Sequence, residues 1–306
     1  MSWFSPKRPP STQPLAERAP PTLNGRFQLG ARLGEGGGSV VQEAVDLRTG
    51  STVAVKLVRL PAELSASQRQ DWVARLHREA ALARRLAHPD IVAVYEAGLQ
   101  GQQAWLAMER VRGVDLARYT HPQRQLPENL VLHIGARVAA ALAHAHAQGV
   151  VHRDLKPANV IVNLAAGQVK LADFGVARDT AAPLTRTGLS LGTPAYMAPE
   201  QLAGEPASAA SDAYALGVML FELLAGRRPH VADTLGALLQ STATHPPAAL
   251  ARLRPDLPQS AVNAVESLLA KKPADRPADL DAWAIHTAAL AGVMTRLLAP
   301  SSTTGV

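Results

Sequence analysis

His152-Arg153-Asp154-Leu155-Lys156-Pro157-Ala158-Asn159, followed by Asp173-Phe174-Gly175, is the stretch on which the reading of this chain turns. It offers one carboxylate, Asp154, able to accept a hydroxyl proton. Asn159 and Asp173 add an amide oxygen and a second carboxylate able to hold magnesium, and together these are the equipment of phosphoryl transfer. A lone Asp in a loop is usually a turn former or a helix cap, and an Asp-Phe-Gly triplet recurs by chance. The octet with the triplet beginning fourteen residues after Asn159 is far more specific.

The flanking sequence supplies a workable local setting. A helix is expected from Pro127 to about Gln148, with Leu130, Ile134, Val138 and Leu142 on one face and Gly149 ending it. Val150 and Val151 read as a short buried strand feeding the loop of Asp154. Val160 to Val162 leave that loop as another strand, and Val169 and Leu171 lead into Asp173. Two paired strands would bring Asn159 and Asp173 to the same end of a hairpin. Magnesium takes few carboxylates besides substrate phosphates, which suits so sparse a ligand set.

Upstream, Leu33-Gly34-Glu35-Gly36-Gly37-Gly38-Ser39-Val40-Val41 forms a glycine-rich turn between strand-like runs Arg26 to Leu33 and Val40 to Asp46. Glycines let backbone amides approach phosphate oxygens closely. A Rossmann loop would continue into a helix, but Val53 to Val58 read as a strand, and the Lys-Ser or Lys-Thr pair of a P-loop is missing. Lys56 lies in that strand among branched apolar residues, where an ammonium needs compensation. In a helix expected over about Ser67 to Leu86, Glu79 falls on the inward stripe of Trp72, Leu76, Ala83 and Leu86. The expected pair has Glu79 holding Lys56 while Lys56 orients nucleotide phosphates.

A chain of 306 residues, 47% of them hydrophobic, can bury two cores, and the boundary is placed near Glu109 to Gly113. The formal charge is +6, with arginines scattered beside acids rather than bunched, which argues against nucleic-acid binding. His144 and His146 sit two apart on a helix, point to nearly opposite sides and read as ordinary histidines rather than metal ligands. The chain has no cysteine, which fits a reducing cytoplasm. Residues 1–24 read as a disordered Pro-rich tail without the apolar core of a signal peptide. No run approaches the eighteen or so apolar residues of a membrane span, and no internal repeat is visible. Leu280 to Leu298 reads as helix-like, with residues 291–306 assigned to a C-terminal tail.

These motifs, in this order, resemble a bacterial eukaryotic-like (Hanks-type) Ser/Thr protein kinase over about Phe27 to Ala289. The resemblance implies an α+β, two-lobed fold over residues 25–290. A small antiparallel-sheet N-lobe with one main helix (25–110) would precede a larger, mostly helical C-lobe (111–290). It implies that Leu33, Gly34, Glu35, Gly36, Gly37, Gly38, Ser39 and Val41 cover ATP, and that Ala54 and Lys56 belong to the Val-Ala-Val-Lys strand. Glu79 would be the glutamate of the N-lobe helix and Met108 the gatekeeper. Glu109 and Val111 would contact adenine through their backbone, with Asp115 near the ribose. Asp154 is the implied base, Lys156 a contact to the transferred phosphate, and Asn159 and Asp173 the ligands of Mg2+, with Mn2+ as the alternative. Ala198-Pro199-Glu200 would end the activation segment and Gly192-Thr193-Pro194 would form the substrate-platform turn. Asp212 would anchor the catalytic loop, and Arg276 would pair with Glu200.

Ser39 stands where a third glycine is frequent, and Gly38 occupies the loop tip where a bulky residue is common, so a loosely ordered tip is expected. Thr185 and Thr187, with Ser190, Arg178 and Arg186 nearby and Arg153 before the base, suggest autophosphorylation of the activation segment. Protein Ser/Thr substrates, self-association for trans-autophosphorylation, a cognate phosphatase and a cytoplasmic location follow as expectations, with neither nucleic acid nor a membrane span. A pseudokinase scaffold that binds nucleotide without turnover is the alternative. Small-molecule kinases of the aminoglycoside type lack the Ala198-Pro199-Glu200 element and the platform turn.

Overall fold

The computed structural model describes residues 22–36, 38–60, 63–174 and 194–298. Asn24 and Gly25, at φ 51 and 63, turn the chain between β1 (Thr22–Leu23) and β2 (Phe27–Gly36). The Arg26 N–H donates to the Leu23 carbonyl at 3.1 Å, and the two central positions of that tight turn need positive φ, which Asn-Gly supplies. β3 (Ser39–Asp46), β4 (Thr52–Arg59), β5 (Val94–Gln100) and β6 (Gln103–Glu109) complete an antiparallel sheet ordered β1-β2-β3-β4-β6-β5. The hairpin thus begins at Thr22, inside the expected tail, because Leu23 is buried with Phe27.

Period-two alternation splits β4 between two small cores. Val53, Val55 and Leu57 pack with Phe27 and Trp105 on one face. On the other, Ala54 joins Leu106, Met108 and the inward side of α1 (Ala66–Ala83). Lys56 falls on this second face. A reciprocal cap between Ser65 and Gln68 starts α1. The helix ends at Ala83 rather than near Leu86, the chain tightening into short turns before Pro89.

β6 runs out at Glu109, and the chain passes Gly113 into β7 (Val114–Asp115). A Cβ on Gly113 would lie 2.5 Å from the Val162 carbonyl, so only glycine allows this crossing. The larger lobe follows: α2 (Glu128–Ala147), β8 (Val160–Asn163), β9 (Gln168–Leu171), α3 (Pro199–Leu202), α4 (Ala209–Ala225), α5 (Leu235–Thr244), α6 (Leu250–Leu253), α7 (Gln259–Leu268) and α8 (Leu280–Leu298). β7, β8 and β9 form a second antiparallel sheet. Val150 and Val151 belong to no strand, contrary to expectation, because the amides that follow them bond to a side chain instead of a neighbouring strand.

α4 is buried almost all round, capped by Ser208 and ended by Gly226 at φ 69. α2 has the length and apolar content of a membrane span, contrary to the expectation of no such run, yet its apolar side is covered by α4, α8 and β9. α8 overruns the expected boundary at 290 because Ala291 and Met294 are still core residues against α2.

Where α4 crosses α7, a Cβ on Gly217 would sit 2.8 Å from Leu268 Cβ. Gly217→Val is expected to cost about 2 to 3 kcal/mol through overpacking, read as a lower urea midpoint at unchanged m. His230, 7% exposed, is held neutral, its pKa lowered to about 4 by burial and then by Lys271 and His245. The unfolded chain binds this proton near pH 6.5 and the native state does not. Stability should therefore fall by up to about 3 kcal/mol as pH drops from 6.5 to 4, and His230→Gln should flatten that part of a urea-midpoint profile.

Candidate active site

Asp212, 2% exposed in the first turn of α4, organises the loop that carries Asp154. Its Oδ2 accepts the His152 backbone N–H at 2.8 Å and its Oδ1 the Arg153 N–H at 2.9 Å. His146 Nε2 lies 2.8 Å from Oδ2. These bonds support Arg153 at φ 68, a left-handed conformation that costs a non-glycine residue about 1 kcal/mol or more.

His152 is fully buried and joins the two halves of the motif. Its Nδ1 accepts the Asp154 N–H at 3.3 Å, so Nε2 carries the proton and donates to the Ala172 carbonyl at 2.9 Å. Its ring packs against Phe174, centroids 4.7 Å apart. Ala172 N–H donates to the Asn159 carbonyl, prolonging the β8–β9 pairing in which Val160 faces Leu171. Asn159 and Asp173 therefore emerge from the same end of one hairpin.

Lys156 Nζ lies 2.9 Å from Asp154 Oδ2. Asn159 Nδ2 donates to the Asp154 carbonyl at 2.8 Å, so its amide oxygen is the group left to face a cation. Asp173, at φ 63, pairs with Lys56 at 2.7 Å. One carboxylate and one amide oxygen beside a lysine ammonium would fit magnesium, which takes few carboxylates besides phosphate and water oxygens. Among the described residues no cluster of three or more His, Asp or Glu offers an all-protein cage.

The expected Lys56–Glu79 pair is not formed. Glu79 lies half-buried on α1, its carboxyl pushed upward by burial, while Arg153, Arg75 and Arg78 draw it the other way. Asp173 takes the ammonium instead.

The upper wall of the cleft is the β2–β3 hairpin, closed where Gly36 faces Ser39, with Ser39 Oγ donating to the Gly36 carbonyl at 2.8 Å. Gly38 has φ 78, and added Cβ atoms on Gly34 and Gly36 would meet nothing within 4 Å. Leu33 and Glu35 are exposed along the same strand. Val41 faces Lys56 across β3 and β4, and Ala54 faces Met108 across β4 and β6. Glu109 spends its carboxylate on Lys170 at 2.8 Å and on the Ala93 N–H at 3.1 Å, and its own N–H donates to the Ala93 carbonyl at 2.8 Å. Arg110 bonds to the Val111 carbonyl and to Glu43. Asp115 is exposed at the start of the second lobe. Gly37, Gly175, Arg178, Thr185, Arg186, Thr187, Ser190, Gly192 and Thr193 lie outside the described residues.

Beyond the cleft, Arg276 clasps Glu200 with two bonds of 2.7 and 2.8 Å, and Ser211 Oγ donates to the same carboxylate. Burial opposes ionisation of Glu200, but these donors hold its pKa below the ordinary value. Sequence reasoning missed three supports: His146 on Asp212, Lys170 on Glu109, and Tyr196, whose hydroxyl bonds to Glu222 of α4. His146 was within reach of pattern analysis, since the stripe Leu130, Ile134, Val138, Leu142 extended by four residues lands on it. The other two depend on contacts across 61 and 26 residues. Charge-assisted bonds contribute about 1.5 to 3 kcal/mol each, so Asp212→Asn should speed amide exchange over residues 152 to 154 at least tenfold, measured by mass spectrometry.

The model of the protein kinase domain matches residues 27–287. The chain is 38% identical over 268 residues to the serine/threonine-protein kinase PknA of Mycobacterium tuberculosis, covering 86% of this chain and 60% of that protein. It is also 38% identical over 275 residues to the serine/threonine-protein kinase pkn3 of Myxococcus xanthus, covering 86% of this chain and 49% of the relative. The chain thus spans about half to three-fifths of the length of these relatives. A match over this much of the chain, on top of the assembled cleft, places the chain in the protein kinase domain family.

Proposed function

We propose that the chain transfers the γ-phosphoryl group of ATP to Ser or Thr hydroxyls of proteins. The observation that carries this reading is the gathering of Asp154, Asn159, Asp173 and Lys56 at one cleft, from a loop, a hairpin and a strand that only folding brings together. Asp154 orients the substrate hydroxyl and accepts its proton. Lys156, already 2.9 Å from that carboxylate, offsets charge on the transferred group. Lys56 turns from Asp173 to the phosphates. Asn159 and Asp173 would hold magnesium, which would supply positive charge to offset that of the phosphates. The hard oxygen donors suit Mg2+, with Mn2+ as the alternative. Catalysis here is positioning and electrostatics, with Glu109 and Val111 presenting backbone to adenine.

Activation by autophosphorylation at Thr185 or Thr187 belongs to the same reading, supported by Arg153 ahead of the base, and it requires self-association if it occurs in trans. A cognate phosphatase would reverse it. The absence of cysteine fits work in a reducing cytoplasm, and the burial of α2 is accounted for without a bilayer.

Radiolabelled ATP with a generic protein substrate tests the reading. Lys56→Met and Asp154→Asn should each lower transfer a hundredfold or more, and EDTA should abolish it until Mg2+ is restored. Transfer by no form of the protein would favour the nucleotide-binding scaffold. Mass spectrometry should find phosphate at Thr185 or Thr187 in the wild type and none in Asp154→Asn.

A further inference from the structure

Lys56, Lys156 and Lys170 each pair with a carboxylate: Asp173, Asp154 and Glu109. Lys271, half-buried after α7, does not. Its Nζ lies 3.0 Å from His230 Nε2 and 2.6 Å from the carbonyl of Thr242 in the last turn of α5. His230 must accept there through Nε2, so its Nδ1 holds the proton and donates to Ser241 Oγ at 3.0 Å. Two acceptors satisfy a neutral amine fully and leave an ammonium one partner short among the described residues.

The charges around the amine point the same way. Arg276 packs beside it, its Nη2 donating to the Lys271 carbonyl at 3.0 Å, while its own carboxylate partner, Glu200, is already clasped. His230 is neutral, and His245 at the end of α5 adds no negative charge. The C-terminal end of α5 favours a cation. Burial first and Arg276 second outweigh it, lowering the pKa of Lys271 to about 8. At pH 7 such a group carries roughly two hundred times more free amine than an ordinary lysine.

We propose that Lys271 is an acyl-acceptor site, reacting with small activated acyl groups such as acyl phosphates or acyl thioesters. The nitrogen lone pair adds to the acyl carbon and a C–N bond forms. The C–O bond to phosphate, or the C–S bond to the thiol, breaks; the leaving group departs with the electron pair and the amine proton passes to solvent. The product amide has one N–H for two acceptors, so either His230 or the Thr242 carbonyl loses its donor. That loosens α5, which packs on α3 and on the Pro194–Tyr196 turn.

Competitive labelling of the whole chain tests this, with limiting acetyl phosphate in one arm and acetyl-CoA in the other. Exposed Lys272 is the internal reference; cleavage at acidic residues leaves both lysines on one peptide, and its fragment ions assign the acetyl group to one or the other. Lys271 should be acetylated at least tenfold faster than Lys272 at pH 7, the advantage shrinking by pH 10 and vanishing in denaturing urea. Preference in either arm supports the site and identifies its donor. Equal rates, protection of Lys271 in both arms, or a preference that survives urea would overturn it.

Discussion

Two backbone amides of the catalytic loop and one imidazole converge on a carboxylate sealed in the first turn of α4. Removing a carboxylate from water costs several kcal/mol, and Asp212 recovers that cost only because three donors are aimed at it and the positive end of a helix lies behind it. The dependence runs both ways. Arg153 keeps its left-handed backbone because its amide is claimed, and Asp154 is presented at the cleft because Arg153 turns the chain there. α4 in turn is fixed by burial on nearly every side, so the loop inherits the rigidity of the largest core.

Much of this was legible in sequence, for reasons that differ by element. β3 and β4 are rich in valine, so they fall within a residue or two of the runs read from Val40 to Asp46 and Val53 to Val58. α2 was readable from its stripe and from Gly149. Val150 and Val151 misled because two branched residues suggest a strand, while pairing depends on where neighbouring amides are spent. Leu280 to Leu298 was read as helical, the span of α8, yet the tail was drawn from 291, because Ala291 and Met294 are core only where α2 lies alongside. Glu79 lies on the half-buried side of α1, but its charged neighbours are Arg75 and Arg78 of the same helix and Arg153 of a distant loop, and that last contact depends on tertiary packing.

The lobes are joined by more than the hinge. The segment between α1 and β5 exchanges backbone bonds with Leu171, through Asp90 O and Val92 N–H. Its Asp90 side chain is held by Arg137 of α2. Lys170, 8% exposed, bonds to the Ile91 carbonyl and to Glu109. A buried ammonium is tolerated only with such partners, and here they come from the hinge and the inter-lobe segment at once. β9 therefore ties the end of β6, through Lys170, to the strand that leads into Asp173, so the cleft wall and Asp173 share one support.

Lys56 is where that shared support meets the other lobe. Its strand fixes the ammonium on the cleft face, where Asp173 from the end of β9 takes it, while Glu79 on α1 lies among Arg153, Arg75 and Arg78. The Lys56–Asp173 pair is partly exposed on both sides, and pairs of that kind contribute about 1 kcal/mol or less. Glu79 is raised by burial and drawn down by its arginines, so it carries its own neighbours and leaves Lys56 to Asp173. A charge that competes for Asp173 needs only a differential interaction of about 1 kcal/mol to shift that pairing roughly fivefold. A pair this weak therefore opposes little to a phosphate group that enters the cleft.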